Sequence, residues 1–131
     1  MATPSDMEKP GILGHLEVQI LTALMMQGGE DYGVPIYEKL CKITERHVNQ
    51  GGFYLTLDRL AEKNLISVRD DTAKGRGKKR FYRLEPAGWR ALEQSIAGAK
   101  RLAALFDENS ERIETWLSTG QSQEKLDPHE S

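Results

Sequence analysis

After Leu65 the hydrophobic period of this chain changes, and that change limits its fold more than any other feature. Before it, apolar residues recur in three successive blocks at the spacing of an amphipathic helix. After it come two short stretches with β-type alternation, and from Pro86 onward the apolar steps become three and four. Side chains repeat about every 3.6 residues on a helix and every 2 on a strand, so one pattern cannot serve both. The implied order is helix, helix, helix, strand, loop, strand, long helix. A length of 131 residues suits one compact domain with an extra helix or tail.

The blocks can be read residue by residue. Leu13, Leu16, Ile20 and Leu24 form one stripe, flanked by Val18, Leu21 and Met25, and this helix should stop before Gly28-Gly29. The second helix should follow Asp31-Tyr32-Gly33, with Pro35 in its first turn and Ile36, Tyr37, Leu40 and Cys41 inward. In the third, Phe53, Leu57, Leu60 and Ala61 keep helical register through Lys63, Asn49 is a fitting N-cap, and Asn64 suits a left-handed stop. Ile66 and Val68 then alternate with Ser67 and Arg69, and a second strand runs from Lys79 to Leu84 around Phe81 and Tyr82. Between the strands lie Asp70 to Lys78, whose Gly75 and Gly77 mark a hairpin tip. From Pro86, the residues Trp89, Leu92, Ile96, Ala99, Ala103, Phe106, Ser110, Ile113 and Leu117 make a heptad seam, widened by Leu102, Leu105 and Trp116. A small domain cannot cover both ends of such a helix, so a second copy is the simplest cover. Trp89 reads as a core anchor against the first helix. Residues 1–11 read as a flexible lead-in, 12–85 as the folded domain, 86–118 as the association helix, and 119–131 as a disordered tail.

Charge is segregated. The formal net charge is -2, yet residues 39–90 carry thirteen basic and six acidic side chains, and Lys74 to Arg83 hold six cations with no acid. A sign-pure run on a glycine-bearing hairpin fits a phosphate backbone or a narrow groove, while the preceding helix can enter a major groove. The partner this implies is double-stranded DNA. Lys74, Arg76, Lys78, Lys79 and Arg80 are the candidate phosphate contacts, Arg76 between two glycines being best placed for a narrow groove. On the third helix, Gly51 and Gly52 either free the first amides for a phosphate or serve a turn. Asn49 and Gln50 can present carboxamides to adenine edges, Gln50 the better of the two because Asn49 is also the cap. Tyr54 is left nearer the rim because Phe53 aligns with Leu57 and Leu60, Thr56 and Arg59 lie on the polar face, and Lys63 adds to the positive field; a surface salt bridge is the plain alternative for Arg59.

Other classes of function find little in the sequence. The three histidines are far apart, Cys41 stands alone, and no phosphate-binding loop or nucleotide fingerprint occurs. Neither an enzyme nor a cofactor is expected. No run is apolar enough to span a bilayer and the start lacks a secretory pattern, so a cytoplasmic location without membrane association is expected. The main rival to a DNA-binding role is a non-enzymatic protein-interaction module on the same scaffold.

The residues resemble the PadR-type winged-helix regulators. Leu13-Gly14-His15-Leu16-Glu17 reads as that family's LG-x-LE start. Gly51-Gly52-Phe53-Tyr54-Leu55-Thr56-Leu57-Asp58-Arg59-Leu60-Ala61, followed by Asn64-Leu65-Ile66, stands where the family has its G-T-L-Y-P-T-L-x-R-L-E run and G-L-I. Lys79-Arg80-Phe81-Tyr82-Arg83-Leu84-Glu85-Pro86-Ala87-Gly88 matches its R-K-Y-Y-x-L-T-x-x-G close. The family's G-P-x-H-G-Y turn is Gly29-Glu30-Asp31-Tyr32-Gly33-Val34, which keeps only the glycines. The resemblance implies an α+β, mainly α fold: a winged helix-turn-helix with a β-hairpin wing and a long C-terminal dimerisation helix. It also favours Tyr54 in backbone contact or domain packing. Together with the seam and the apolar first helix, the expected protein is a homodimeric repressor on an inverted-repeat operator, joined through Leu13, Leu16, Ile20, Leu92, Ile96, Ala99, Ala103, Phe106, Ile113 and Leu117. A small-molecule effector of undefined identity would release it.

Overall fold

The computed structural model describes residues 13–71 and 79–120. The lead-in at 1–11, the wing tip with Lys74, Arg76 and Lys78, and the tail from residue 121 lie outside the described residues. Two compact units divide between Ser95 and Ile96.

The first unit starts with α1 (His15–Met26), β1 (Glu30–Tyr32), α2 (Gly33–Thr44) and α3 (Gln50–Glu62). It continues through β2 (Ile66–Asp71) and β3 (Lys79–Leu84) into the first turns of α4 (Pro86–Glu108). Helical periodicity explains the core. Ile20, Leu21 and Leu24 of α1, Ile36 and Leu40 of α2, and Phe53, Leu57 and Leu60 of α3 are fully buried together. Each such side chain contributes about 2 kcal/mol by leaving water. Tyr82 and Leu84 of β3 and Ala91 and Leu92 of α4 close the same core. Ile20 and Leu92 are therefore core residues of one chain, which corrects their expected place on a dimer surface. Their heptad spacing coincides with the stripe that the domain itself buries.

The punctuation residues behave as their chemistry requires. Asn64 takes the left-handed conformation (φ 63°) after α3, and Leu65 N–H returns to Leu60 O at 3.0 Å. Gly28 and Gly29 (φ 86° and 92°) end α1 and turn the chain into β1, where Gly29 O accepts from Leu84 N–H at 2.8 Å.

Three differences from the expected order stand out. β1 adds a third strand, so the sheet order is β1-β3-β2 and all pairs are antiparallel. Three residues, Glu30 to Tyr32, carry no periodic signal; their strand exists because β3 offers a free edge in the register Glu30↔Arg83, Asp31↔Tyr82, Tyr32↔Phe81. Val68 is exposed although it alternates with polar neighbours, because β2 is the outer strand and only Ile66 reaches the core. Trp89 is 44% exposed and not the expected core anchor; its ring lies by Gly29, where an added Cβ would stand 3.6 Å from Cζ2.

The second unit consists of the remainder of α4 and α5 (Ser110–Thr119). The expected single helix is interrupted at Asn109 (φ -108°, ψ 11°), whose side-chain amide donates to Leu105 O at 2.8 Å and so competes with the helical ladder. Ile96, Leu102, Leu105, Phe106 and Leu117 are exposed large apolar residues of this unit.

Gly88, in the first turn of α4, is fixed by close approach. An added Cβ would lie 2.2 Å from Leu65 O and 2.8 Å from Leu84 Cδ1. Leu65 O also accepts from Glu85 N–H at 3.0 Å, so that carbonyl cannot retreat without loss. Gly88→Ala should destabilise the first unit by about 2 kcal/mol, read as a lowered urea midpoint.

Candidate nucleic-acid interface

The start of α3 is capped by side-chain chemistry. Asn49 Oδ1 accepts from Gly52 N–H at 2.8 Å and Asn49 O accepts from Phe53 N–H at 3.0 Å. Asn49 is thus committed as a cap and Gly52 N–H is taken, which leaves Gln50 and Gly51 as the exposed residues of that turn outside the cap bond. An added Cβ at Gly51 would meet Asn49 Oδ1 at 3.1 Å, so this glycine gives the cap its room.

Burial of Phe53, Leu57 and Leu60 turns the opposite side of α3 outward, with Gln50, Tyr54, Asp58 and Arg59 exposed. Thr56 departs from expectation. It is buried, and its hydroxyl donates to Gly52 O at 2.7 Å, so it steadies the first turn and is not part of the polar face. Tyr54 packs within the domain. Its ring packs edge-on to Phe53, with centroids 4.8 Å apart, and its hydroxyl lies so close to Gly33 that a Cβ there would stand 3.0 Å away.

Lys63 is engaged within the fold. Its ammonium donates to Glu17 Oε2 at 2.7 Å, and Glu17 Oε1 accepts from Gly14 N–H at 2.8 Å, tying the start of α1 to the end of α3. Burial pushes the Glu17 carboxyl up. The Lys63 ammonium, the Gly14 N–H and the nearby Arg59 charge outweigh it, so the group is held below the usual carboxylate range.

The wing root supplies the other side of the interface. Lys79 and Arg80 are exposed at the start of β3. Arg80 stands 3.6 Å from Asp58 of α3 and 3.9 Å from Asp70 of β2, so it joins wing and reading helix as well as offering charge. Burial pushes the Tyr82 phenol up, and its hydrogen bond with Arg80 opposes that shift. Between these elements opens a cleft of about 870 Å³. It is lined by Gly33, Val34 and Pro35 of α2, Tyr54 of α3, Tyr32 of β1, and Lys79, Arg80 and Tyr82 of β3. The structure therefore brings Tyr54, Lys79 and Arg80 to one cleft and leaves Lys63 to the α1 contact.

Sequence reasoning missed Tyr32, Asp58, Asp70 and Asp71. Each acts across elements, and no local spacing announces such a contact. Among the described residues, no group of three or more His, Cys, Asp or Glu could hold a metal ion, and no helix is long and apolar enough to cross a membrane.

A helical core carrying a capped helix beside a two-stranded wing defines a winged-helix protein. Residues 20–94 match the transcriptional regulator PadR-like family, and the chain belongs to that family. It is a DNA-binding transcriptional regulator by that membership. The chain is similar to a PadR family transcription regulator from Clostridium difficile (24% identity, TM-score 0.58), covering 72% of this chain and 97% of that one. It is similar to RosR of H. salinarum (23%, TM-score 0.56), covering 86% and 96%. It is also similar to BpsR of Bordetella bronchiseptica, whose DNA binding is described as regulated by 6-hydroxynicotinic acid (20%, TM-score 0.58; 84% and 81% covered). No curated protein sequence matches the chain.

The lowered Glu17 pKa has a definite sign in stability. Its contribution is fully present above the ordinary carboxylate value and is lost as pH falls through the lower folded value. With Lys63 partly exposed, Glu17→Gln should cost about 1 kcal/mol at neutral pH, a difference that shrinks at acid pH, below the lowered folded value. Urea unfolding of both proteins at the two pH values checks this.

Proposed function

We propose that this chain is a homodimeric repressor that lays α3 in a major groove and the wing along the adjacent backbone. The observation that carries this reading is the shared cleft: Tyr54 of α3 and Lys79 and Arg80 of β3 border one opening. Gln50 and Arg59 are exposed on the same helix as Tyr54 and are the proposed base-edge and backbone contacts. Gly51 accompanies Gln50 at the helix start, and Lys74, Arg76 and Lys78 of the same cationic sequence run are further proposed phosphate contacts. Lys63 adds charge at long range only, since Glu17 holds it. The site of action is the cytoplasm, where chromosomal promoter DNA is met.

Two copies join through the second unit. Ile96, Ala99, Ala103, Phe106 and Leu117 are exposed there, with Ile113 half-buried, and the two alanines allow close helix approach. Leu13 and Leu16 are only partly covered by their own core and can add to the contact. Two-fold symmetry then calls for an inverted-repeat operator, and repression follows from occlusion of the promoter. By analogy with the regulation described for BpsR, a small molecule that shifts the closing helices would release the DNA.

Replacing Lys78, Lys79 and Arg80 together with alanine should weaken duplex binding and lower the slope of log K against log salt by about 2. An unchanged slope removes the wing from the interface. Ile96→Glu with Phe106→Glu should convert the dimer to a monomer in sedimentation equilibrium; a persistent dimer contradicts the seam. If the native protein enriches no recurrent DNA site in cells and recovers only protein partners, the interaction-module reading replaces this one.

A further inference from the structure

The outward face of the small sheet carries a continuous chain of side-chain contacts. The register aligns Tyr32 of β1, Phe81 of β3 and Arg69 of β2 in one row across the three strands. Tyr32 and Phe81 meet edge to face with centroids 5.1 Å apart, and the Arg69 guanidinium lies 4.3 Å above the Phe81 ring. In the next row Asp71 of β2 faces Lys79 of β3. The Tyr32 hydroxyl donates to Asp71 Oδ2, reaching over the middle strand from one edge of the sheet to the other. The Lys79 ammonium sits 5.8 Å from the centre of the Tyr32 ring.

Asp71 and Lys79 are the last described residues on either side of the wing tip. A two-stranded ribbon is weakly held and readily twisted at its open end. A hydrogen bond to a charged acceptor is among the stronger polar contacts, and here it lies where β2 and β3 would otherwise separate. Tyr32 is also the residue immediately before α2 and lines the cleft beside Lys79 and Arg80. One side chain thereby references the wing root to the rigid helical body.

We propose that Tyr32 is a positioning residue for DNA binding: its hydroxyl, bound to Asp71, fixes the angle at which the wing root presents Lys79 and Arg80. The role rests on the DNA-facing reading of the wing given above. It is a property of this chain's own turn, where Tyr32 occupies the place of the histidine in the family pattern.

Tyr32→Phe tests it without altering charge or removing the ring. In the free full-length protein, amide exchange at residues 69–71 and 79–81 should become about tenfold faster, with the helical core unchanged. On a mixed-sequence duplex, affinity at fixed salt should fall about three- to tenfold, and the salt slope should drop by about 1 as a wing contact is lost. General destabilisation would reduce the active fraction and leave that slope alone. In a Lys78→Ala, Lys79→Ala, Arg80→Ala background, Tyr32→Phe should have no further effect on affinity. Unchanged exchange at the strand ends, or an unchanged slope in an otherwise wild-type chain, overturns the role. If the wing-neutralised protein binds like wild type, the DNA reading of the wing fails instead, and the exchange result still decides whether Tyr32 braces the root.

Discussion

Burial of Phe53, Leu57 and Leu60 against α1 and α2 is the constraint from which the rest of the first unit follows. Once that stripe is inside, the rotation of α3 about its axis is settled, and Gln50, Tyr54, Asp58 and Arg59 have to face outward. The same burial places the end of α3 beside the start of α1, where Lys63 meets Glu17 across 46 residues of sequence. It also sets the height at which Asn64 turns the chain into β2, and so the plane of the wing. The outward face of α3 is thus specified by hydrophobic residues that are not part of it.

β3 transmits that constraint to the wing. It is the middle strand, with hydrogen bonds to β1 and β2, and its Tyr82 and Leu84 enter the same core. Leu84 N–H bonds to Gly29 O, and Glu85 N–H bonds to Leu65 O, so the strand is pinned at its inner end by two turns from other elements. Gly88 then lets α4 begin directly on the Leu65 carbonyl. The far end of β3 has no core beneath it. There the contacts become polar and aromatic: Arg80 between Asp58 and Asp70, and Tyr32 over Lys79 to Asp71.

Elements whose signal is local were legible in the sequence. The three helices, both long strands, the Asn49 cap and the Asn64 stop all follow from periodicity and capping chemistry within a few residues. β1 was not legible, because three residues gain their strand form only from pairing with a partner some fifty positions away in sequence. Thr56 looked polar by type but satisfies its hydroxyl on its own helix, which frees it to be buried. Ile20 and Leu92 fit an intermolecular stripe as well as an intramolecular one, and spacing alone cannot tell these apart. The seam itself marked only Ser110 as its polar member, and the break at Asn109 arises from a side-chain amide bonding back to Leu105 O.

The distribution of charge looks different once partners are assigned. Counted along the chain, residues 39–90 are strongly cationic. In the folded unit, Lys63 is neutralised by Glu17, Arg80 shares two carboxylates, and Arg69 lies on the Phe81 ring. The pairs at Arg80 are exposed and contribute little stability, so their effect is geometric: they hold one cation between α3 and the sheet. In the proposed DNA-binding role, a phosphate reaching Arg80 would compete with Asp58 and Asp70 for the same guanidinium. Non-specific attraction at the wing root is therefore weaker than the cation count suggests.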